Sequence, residues 1–88
     1  MTALEFALAP QVHELKIEPW YMNDVLSGIK NFEFRINDRN YRIGDEVNLY
    51  ECLNDTYTGR WYHLTISYIL YGTGKYGLPD GYCIFSWM

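Results

Sequence analysis

Four of the five charged side chains between residues 30 and 39 are the residues of this chain best suited to binding chemistry. Lys30 follows a predicted helix end, Glu33 and Arg35 share one face of a predicted strand, and Arg39 lies in the next turn. An arginine can donate two hydrogen bonds at once to a phosphate or to the carbonyl edge of a base, and a carboxylate can accept a hydrogen bond from the amino group of a base. These residues therefore predict an anion or base pocket. Composition alone offers an alternative, in which Glu33 and Arg35 form an exposed surface ion pair that stabilises the fold by about 0–1 kcal/mol.

Three more residues extend the predicted pocket. Lys16, on the strand before the helix, supplies a further cation, and Tyr41 or Trp20 offers an aromatic face on which a base can stack. We therefore assign ligand binding to the set Lys16, Lys30, Glu33, Arg35, Arg39 and Tyr41.

The histidines and cysteines do not predict a metal site. His13 and His63 have no close His or Cys neighbour in the sequence, and Cys52 and Cys83 lack C-x-x-C spacing. We expect no metal and no cofactor. Both cysteines are predicted to be reduced and buried, and a bridge between them stays open if their strands are neighbours.

The charge distribution favours a local anion site over a broad nucleic-acid surface. The chain has a net charge of −4, yet four of its seven cations fall at Lys30, Arg35, Arg39 and Arg42. Proteins that track duplex backbones are usually basic, with a domain pI above about 9. A pI of 4.9 argues against such binding and leaves room for a small anion pocket.

The chain length of 88 residues predicts one domain. Residues 1–11 read as a leader and residues 12–88 as the folded domain. The leader lacks the basic start of a signal peptide, and no apolar run approaches the roughly 20 residues that span a membrane. We therefore expect a cytoplasmic protein without membrane contact.

The elements that position these residues are short strands and one helix. Alternation and β-branched residues predict five strands, and Pro19 and Gly28 bracket a helix with Trp20, Val25 and Leu26 on its buried side. The strands are expected at 13–18, 30–37, 46–53, 60–70 and 82–87. Residues 54–59 and 72–81 are expected to be loops. No regular β-α-β alternation occurs, so we predict an α+β, mainly β fold: a small antiparallel barrel with one short helix capping a cleft.

Several short motifs resemble the activating signal cointegrator homology (ASCH) domains of the PUA-like superfamily, in particular a subgroup of small bacterial and phage proteins. The central motif is G-x-K-x-x-E-x-R, formed by Gly28, Lys30, Glu33 and Arg35. It is flanked by HELKI at 13–17, NDR at 37–39, GD at 44–45, YTGR at 57–60 and GYCI at 81–84. The resemblance covers about residues 12–87.

The resemblance implies a PUA-like β-barrel whose helix lies beside a cleft lined by Lys30, Glu33 and Arg35. It also implies RNA or a nucleotide as the ligand, so a non-catalytic binding domain is the primary expectation. A related ASCH group hydrolyses the acetyl amide of acetylated cytidine and is similar at Gly28, Lys30 and Arg35, but it carries a threonine nucleophile where this chain has Glu33. An amidohydrolase, with Lys30 and Glu33 as catalytic candidates, is therefore the alternative.

A third hypothesis is a protein-interaction module, such as a phage factor that inhibits a host machine. The acidic remainder of the chain and its nine tyrosines motivate it, since tyrosine is favoured at interfaces. The sequence leaves a monomer and a weak homodimer, formed by pairing of edge strands, both open.

Overall fold

A computed structural model describes residues 9–88. It contains six strands and one helix, which confirms the predicted mainly β, α+β class. In chain order they are β1 (Val12–Ile17), α1 (Pro19–Leu26), β2 (Phe32–Ile36), β3 (Glu46–Leu53), β4 (Thr56–Thr65), β5 (Tyr68–Tyr71) and β6 (Tyr82–Ser86).

The strands form two three-stranded sheets. Sheet 1 has the order β1-β3-β4 and sheet 2 the order β2-β6-β5, so the predicted antiparallel barrel does not close among the described residues. Three pairings of the described strands are antiparallel, as predicted, whereas the pairing of β1 with β3 is parallel, from Val12 beside Glu46 to Ile17 beside Glu51. The reason is that α1 and β2 form a crossover long enough to return the chain to the same end of sheet 1.

The predicted strand at 60–70 is two strands in different sheets. The buried Ile66 donates its N–H to the Asp45 carbonyl, next to β3, whereas Ser67 donates to the Ser86 carbonyl of β6. The chain therefore changes sheets at these two residues. Continuous β propensity could not reveal the change, because both halves favour extended backbone.

Residues 54–59 form a tight hairpin instead of the predicted loop. Asn54 and Asp55 both have positive φ, at 50° and 60°, as a two-residue hairpin turn with right-handed twist requires. Asn and Asp tolerate this conformation better than most residues. Strand β4 consequently begins at Thr56 and brings Tyr57 alongside β3.

Helix α1 has the predicted ends but a different buried side. Pro19 occupies the first turn, and Gly28 adopts a φ of +82° after the helix. The core side is formed by Met22 and Val25, whereas Trp20 and Leu26, predicted to be buried, are exposed. The eight-residue helix offers only a narrow stripe to sheet 1. Within residues 9–88 we find no helix with the length and apolar character needed to cross a bilayer.

The core lies between the two sheets and α1. Leu15, Val47 and Leu49 of sheet 1 face Phe85 of sheet 2, and all four are buried. The two cysteines are buried and free, with Cys52 in sheet 1 and Cys83 in sheet 2. The bridge left open by the sequence is therefore absent.

Candidate binding groove

The candidate site lies at the seam where the two sheets meet along β1 and β2. These edge strands do not pair with each other in the described chain. A side chain spans the gap instead, because the Arg35 guanidinium donates to the Lys16 carbonyl over 2.7 Å. The seam is thus bridged by a side chain and not by a backbone ladder.

Strand β2 is inverted relative to an ordinary surface strand. Its charged residues Glu33 and Arg35 point inward, where Glu33 is buried and Arg35 is partly buried. Its apolar residues Phe32, Phe34 and Ile36 are about half exposed. The alternation predicted from sequence is correct, but the exposed surface ion pair is wrong, because Glu33 retains only 6% of its accessible surface.

Glu33 is the centre of a charged cluster. Its carboxylate accepts from Lys30 Nζ and, over 2.9 Å, from Arg35 Nε. Lys30 also donates to the Phe32 carbonyl over 2.7 Å and lies 5.4 Å from the centre of the Tyr21 ring. Charge-assisted hydrogen bonds in a buried setting are strong and directional. The cluster therefore holds Lys30 and Arg35 in defined positions beside Glu33.

Two adjoining cavities form what we call the groove. The first, of about 450 Å³, lies at the seam and is lined by Lys30, Glu33 and Tyr21 among others. The second, of about 400 Å³, is lined by Arg39 and by aromatic side chains of sheet 1. Both are lined by Lys16 and Arg35, so these two residues stand where the cavities meet.

Two of the predicted cations, Lys16 and Arg39, lie at the rim of the groove and form long ion pairs with neighbouring carboxylates. Lys16 Nζ lies 4.0 Å from an Asp55 carboxylate oxygen, and Arg39 Nε lies 4.0 Å from one of Asp38. About half of each basic side chain is exposed. Exposed pairs at such distances contribute little energy, so both cations can turn to a ligand at small cost.

Tyr41 does not offer the predicted stacking face. Its ring is 1% exposed and packs between His13 and Phe85, with centroid distances of 4.8 and 5.1 Å. Burial raises the pKa of the Tyr41 hydroxyl, against the opposing charges of Arg35 and Arg39. Tyr41 is therefore a core residue behind the groove, and its prediction as a contact was wrong because a turn residue folds inward here.

Other aromatic residues line the groove instead. Tyr21 of α1 lies in the first cavity, and Tyr50 and Tyr57 lie in the second. Tyr50 and Tyr57 meet edge to face at 6.4 Å, and Lys16 Nζ lies 5.7 Å above the Tyr57 ring. Trp20 is exposed but lines a different cavity, next to Cys52. The Asn54-Asp55 turn was the sequence signal for Tyr57, since it implies a hairpin that places this ring beside β3.

The histidines are engaged in hydrogen bonds. His13 Nε2 lies 2.8 Å from Asp45 in the core, and His63 Nδ1 lies 2.7 Å from the Asn48 side chain. No three metal-ligating side chains come together within residues 9–88.

These features define a small, mainly β domain of the α+β class with a charged, tyrosine-lined groove at an open seam. The chain belongs to the family described as a domain of unknown function, DUF3850, whose model matches residues 12–87. It is also similar to an uncharacterized 12.9 kDa protein in the GpA 3′ region of Escherichia phage P2, with 44% identity over 50 residues. That match covers 57% of this chain and 46% of the phage protein, so the chain spans about half of that relative's length.

Proposed function

We propose that the groove binds a nucleotide or a short single-stranded RNA. The observation that carries the proposal is the sharing of Lys16 and Arg35 by two adjoining cavities, each of which also holds another cation and a tyrosine. Proteins that bind single strands combine cations along the backbone with aromatic rings on which bases stack. In this arrangement Arg35 and Lys16 contact a phosphate, and Tyr21 and Tyr57 each receive a base.

The balance of charge in the groove supports a short ligand. Lys16, Lys30, Arg35 and Arg39 face the carboxylates of Glu14, Glu18 and Glu33, which leaves a single excess positive charge. Glu33 is already paired with two of the cations. A duplex with its dense phosphate charge gains little from such a surface, whereas one or two phosphates beside stacked bases fit it.

Fluorescence anisotropy with a labelled RNA of about six nucleotides and with labelled ATP tests the proposal. Lys16→Ala and Arg39→Ala each remove a rim cation, so we expect each to weaken RNA binding severalfold and to lower the slope of log K against log salt by roughly 0.7. Lys75→Ala removes an exposed cation from the 72–81 loop, outside both cavities, and is the matched control.

The two probes separate the two ligand classes. Tighter binding of RNA than of ATP, reduced by Tyr57→Ala, indicates a strand that crosses both cavities. Equal binding of the two probes indicates a mononucleotide in the first cavity. If neither probe binds at low salt, or if Lys75→Ala weakens binding as much as Lys16→Ala, the proposal is wrong.

The proposed ligand is the one expected of an ASCH domain, and we propose that relationship as well. Its support is the position of the G-x-K-x-x-E-x-R residues, since Lys30, Glu33 and Arg35 line a cleft beside α1. Two free, buried thiols are consistent with a cytoplasmic setting. Superposition on an experimental ASCH structure tests the relationship: β1, α1 and β2 are expected to align with these three side chains in equivalent places, and a different strand order there would refute it.

A further inference from the structure

The outer face of sheet 2 is apolar although it points away from the core. Strand register places Phe34 of β2 and Leu70 of β5 on either side of Ile84 in the central strand β6. The whole face is formed by Phe32, Phe34, Ile36, Tyr68, Leu70, Tyr82, Ile84 and Ser86. None of these residues is charged, so this face lacks the polar character of an ordinary solvated sheet surface.

The exposed area of this face is large for such a small domain. Its five side chains from β2 and β5 are between 46% and 60% exposed. A large apolar or aromatic side chain carries roughly 150–250 Å² of surface, so these five expose on the order of 500 Å². This is the size of the largest apolar patch on a typical monomer, about 300–600 Å², and such a patch is often functional. On this face the Phe34 and Tyr82 rings stack against each other at 5.4 Å, with an angle of 10° between them.

We propose that this face is covered by the same face of a second copy of the chain. A partner that brought charged side chains to it would bury them without a counter-charge, which is unfavourable. The face of a second copy carries no charged residue, and the Lys30 ammonium that lies 5.1 Å from the centre of the Phe32 ring is already paired with Glu33. A two-fold axis then sets the apolar face against itself. The charged side chains of residues 9–88 lie outside the eight positions of this face, so none of them is set directly against its own copy there.

The area is sufficient for a weak dimer. Two such faces together bury about 1,000 Å², which is the lower end of specific interfaces. Interfaces at that end are usually transient, so we expect a dissociation constant on the order of tens of micromolar. Phe32 and Phe34 of this face also line the first cavity, so the dimer covers one wall of that cavity. The Lys16 side of the groove stays open, because Lys16 belongs to sheet 1.

Sedimentation velocity without added nucleic acid, over a concentration series from about 5 to 500 µM, tests the inference. The wild-type protein is expected to shift from the monomer mass of 10.5 kDa toward twice that value. Leu70→Lys and Ile84→Lys place a charge on the face and are expected to weaken association at least tenfold. Ile43→Lys makes the same change at a residue that is 62% exposed and lies outside the face, and it is expected to dimerise like the wild type.

The outcomes are decisive even if one variant fails to fold. Thermal melts establish whether Ile84→Lys is folded, and Leu70→Lys, on edge strand β5, provides an independent variant. A wild-type mass that stays at 10.5 kDa at the highest concentration overturns the self-association. So does a dimer that persists in folded Leu70→Lys, or one that Ile43→Lys disrupts equally.

Discussion

At the scale of single residues, the buried carboxylates of this protein are each held by several donors. Glu33 accepts from Lys30 and Arg35, and Asp45 accepts from His13 and from the backbone N–H groups of Gln11 and Arg42. Buried carboxylates require such compensation, because the loss of hydration is costly. Glu33 differs from Asp45 in lining a cavity, and this is why we assign it to the site and Asp45 to the fold.

Glu51 is a third such carboxylate and connects a hairpin to the helix. It is 4% exposed and accepts from Arg60 Nε at 3.0 Å and from Thr58 Oγ1 at 2.6 Å. Arg60 also donates to the Asn23 side chain of α1 over 2.8 Å. The hydrogen bonds from Arg60 and then Thr58 lower the pKa of Glu51.

We expect Glu51→Gln to lower the melting temperature, because the amide cannot accept the full set of donors and loses the attraction of the Arg60 charge. Thermal unfolding at pH 7 measures the effect. Glu14→Gln changes an exposed carboxylate of β1 and is expected to leave the melting temperature nearly unchanged. Equal melting temperatures for wild type and Glu51→Gln would contradict this role for Glu51.

At the scale of elements, the seam between β1 and β2 is made by the turns and loops that place the strands. The predicted ends of α1 and of β3 were close to those observed, because Pro19, Gly28 and the 46–53 alternation are local signals. The division of 60–70 into β4 and β5 was missed, because it depends on hydrogen bonds from Ile66 to Asp45 and from Ser67 to Ser86. The pairing of Glu51 with Arg60 likewise depends on hairpin register.

The 72–81 loop is fixed to sheet 2 by close backbone contact at Gly72. A Cβ added there would lie 1.9 Å from the Pro79 carbonyl oxygen and 2.9 Å from that of Tyr82. Neither backbone atom can move without displacing the loop, so Gly72→Ala is expected to destabilise the fold by about 1–3 kcal/mol. For a domain of this size each kcal/mol corresponds to roughly 4–8 °C in melting temperature.

Urea unfolding of Gly72→Ala beside Thr73→Ala tests this prediction. Thr73 is exposed in the same loop, so its truncation is expected to change stability by less than about 0.5 kcal/mol. A Gly72→Ala protein as stable as Thr73→Ala would mean that the loop accommodates the methyl group.

At the scale of the whole molecule, Asp45 and Glu51 make the free energy of unfolding depend on pH in the acidic range. Burial alone raises the pKa of Asp45, but the hydrogen bonds from His13, Gln11 and Arg42 outweigh burial and hold that pKa below its usual 3.8. The pKa of Glu51 is likewise below its usual 4.5. A carboxyl group whose pKa is lower in the folded than in the unfolded protein stabilises the fold fully at pH values above its unfolded-state pKa. This stabilisation is lost as the pH falls through its folded-state pKa.

We therefore expect the free energy of unfolding to decrease steeply as pH falls from about 4.5 toward 2. Urea midpoints over this range measure the decrease. The double variant with Asp45→Asn and Glu51→Gln lacks both titrating groups, so its stability at neutral pH is lower and its acid dependence is shallower. A slope in the double variant equal to that of the wild type would assign the acid sensitivity to other groups.

The sequence by itself determined the mainly β class, the ends of the helix and the alternation that sets Glu33 and Arg35 on one side of β2. These are local properties, set by glycine and proline conformation and by the two-residue period of a strand. Only the tertiary structure decided that the charged side of β2 faces inward and the apolar side outward, that Tyr41 is core, and that Tyr57 lines the groove. Those outcomes depend on which strands become neighbours, and contacts between residues distant in the chain decide that.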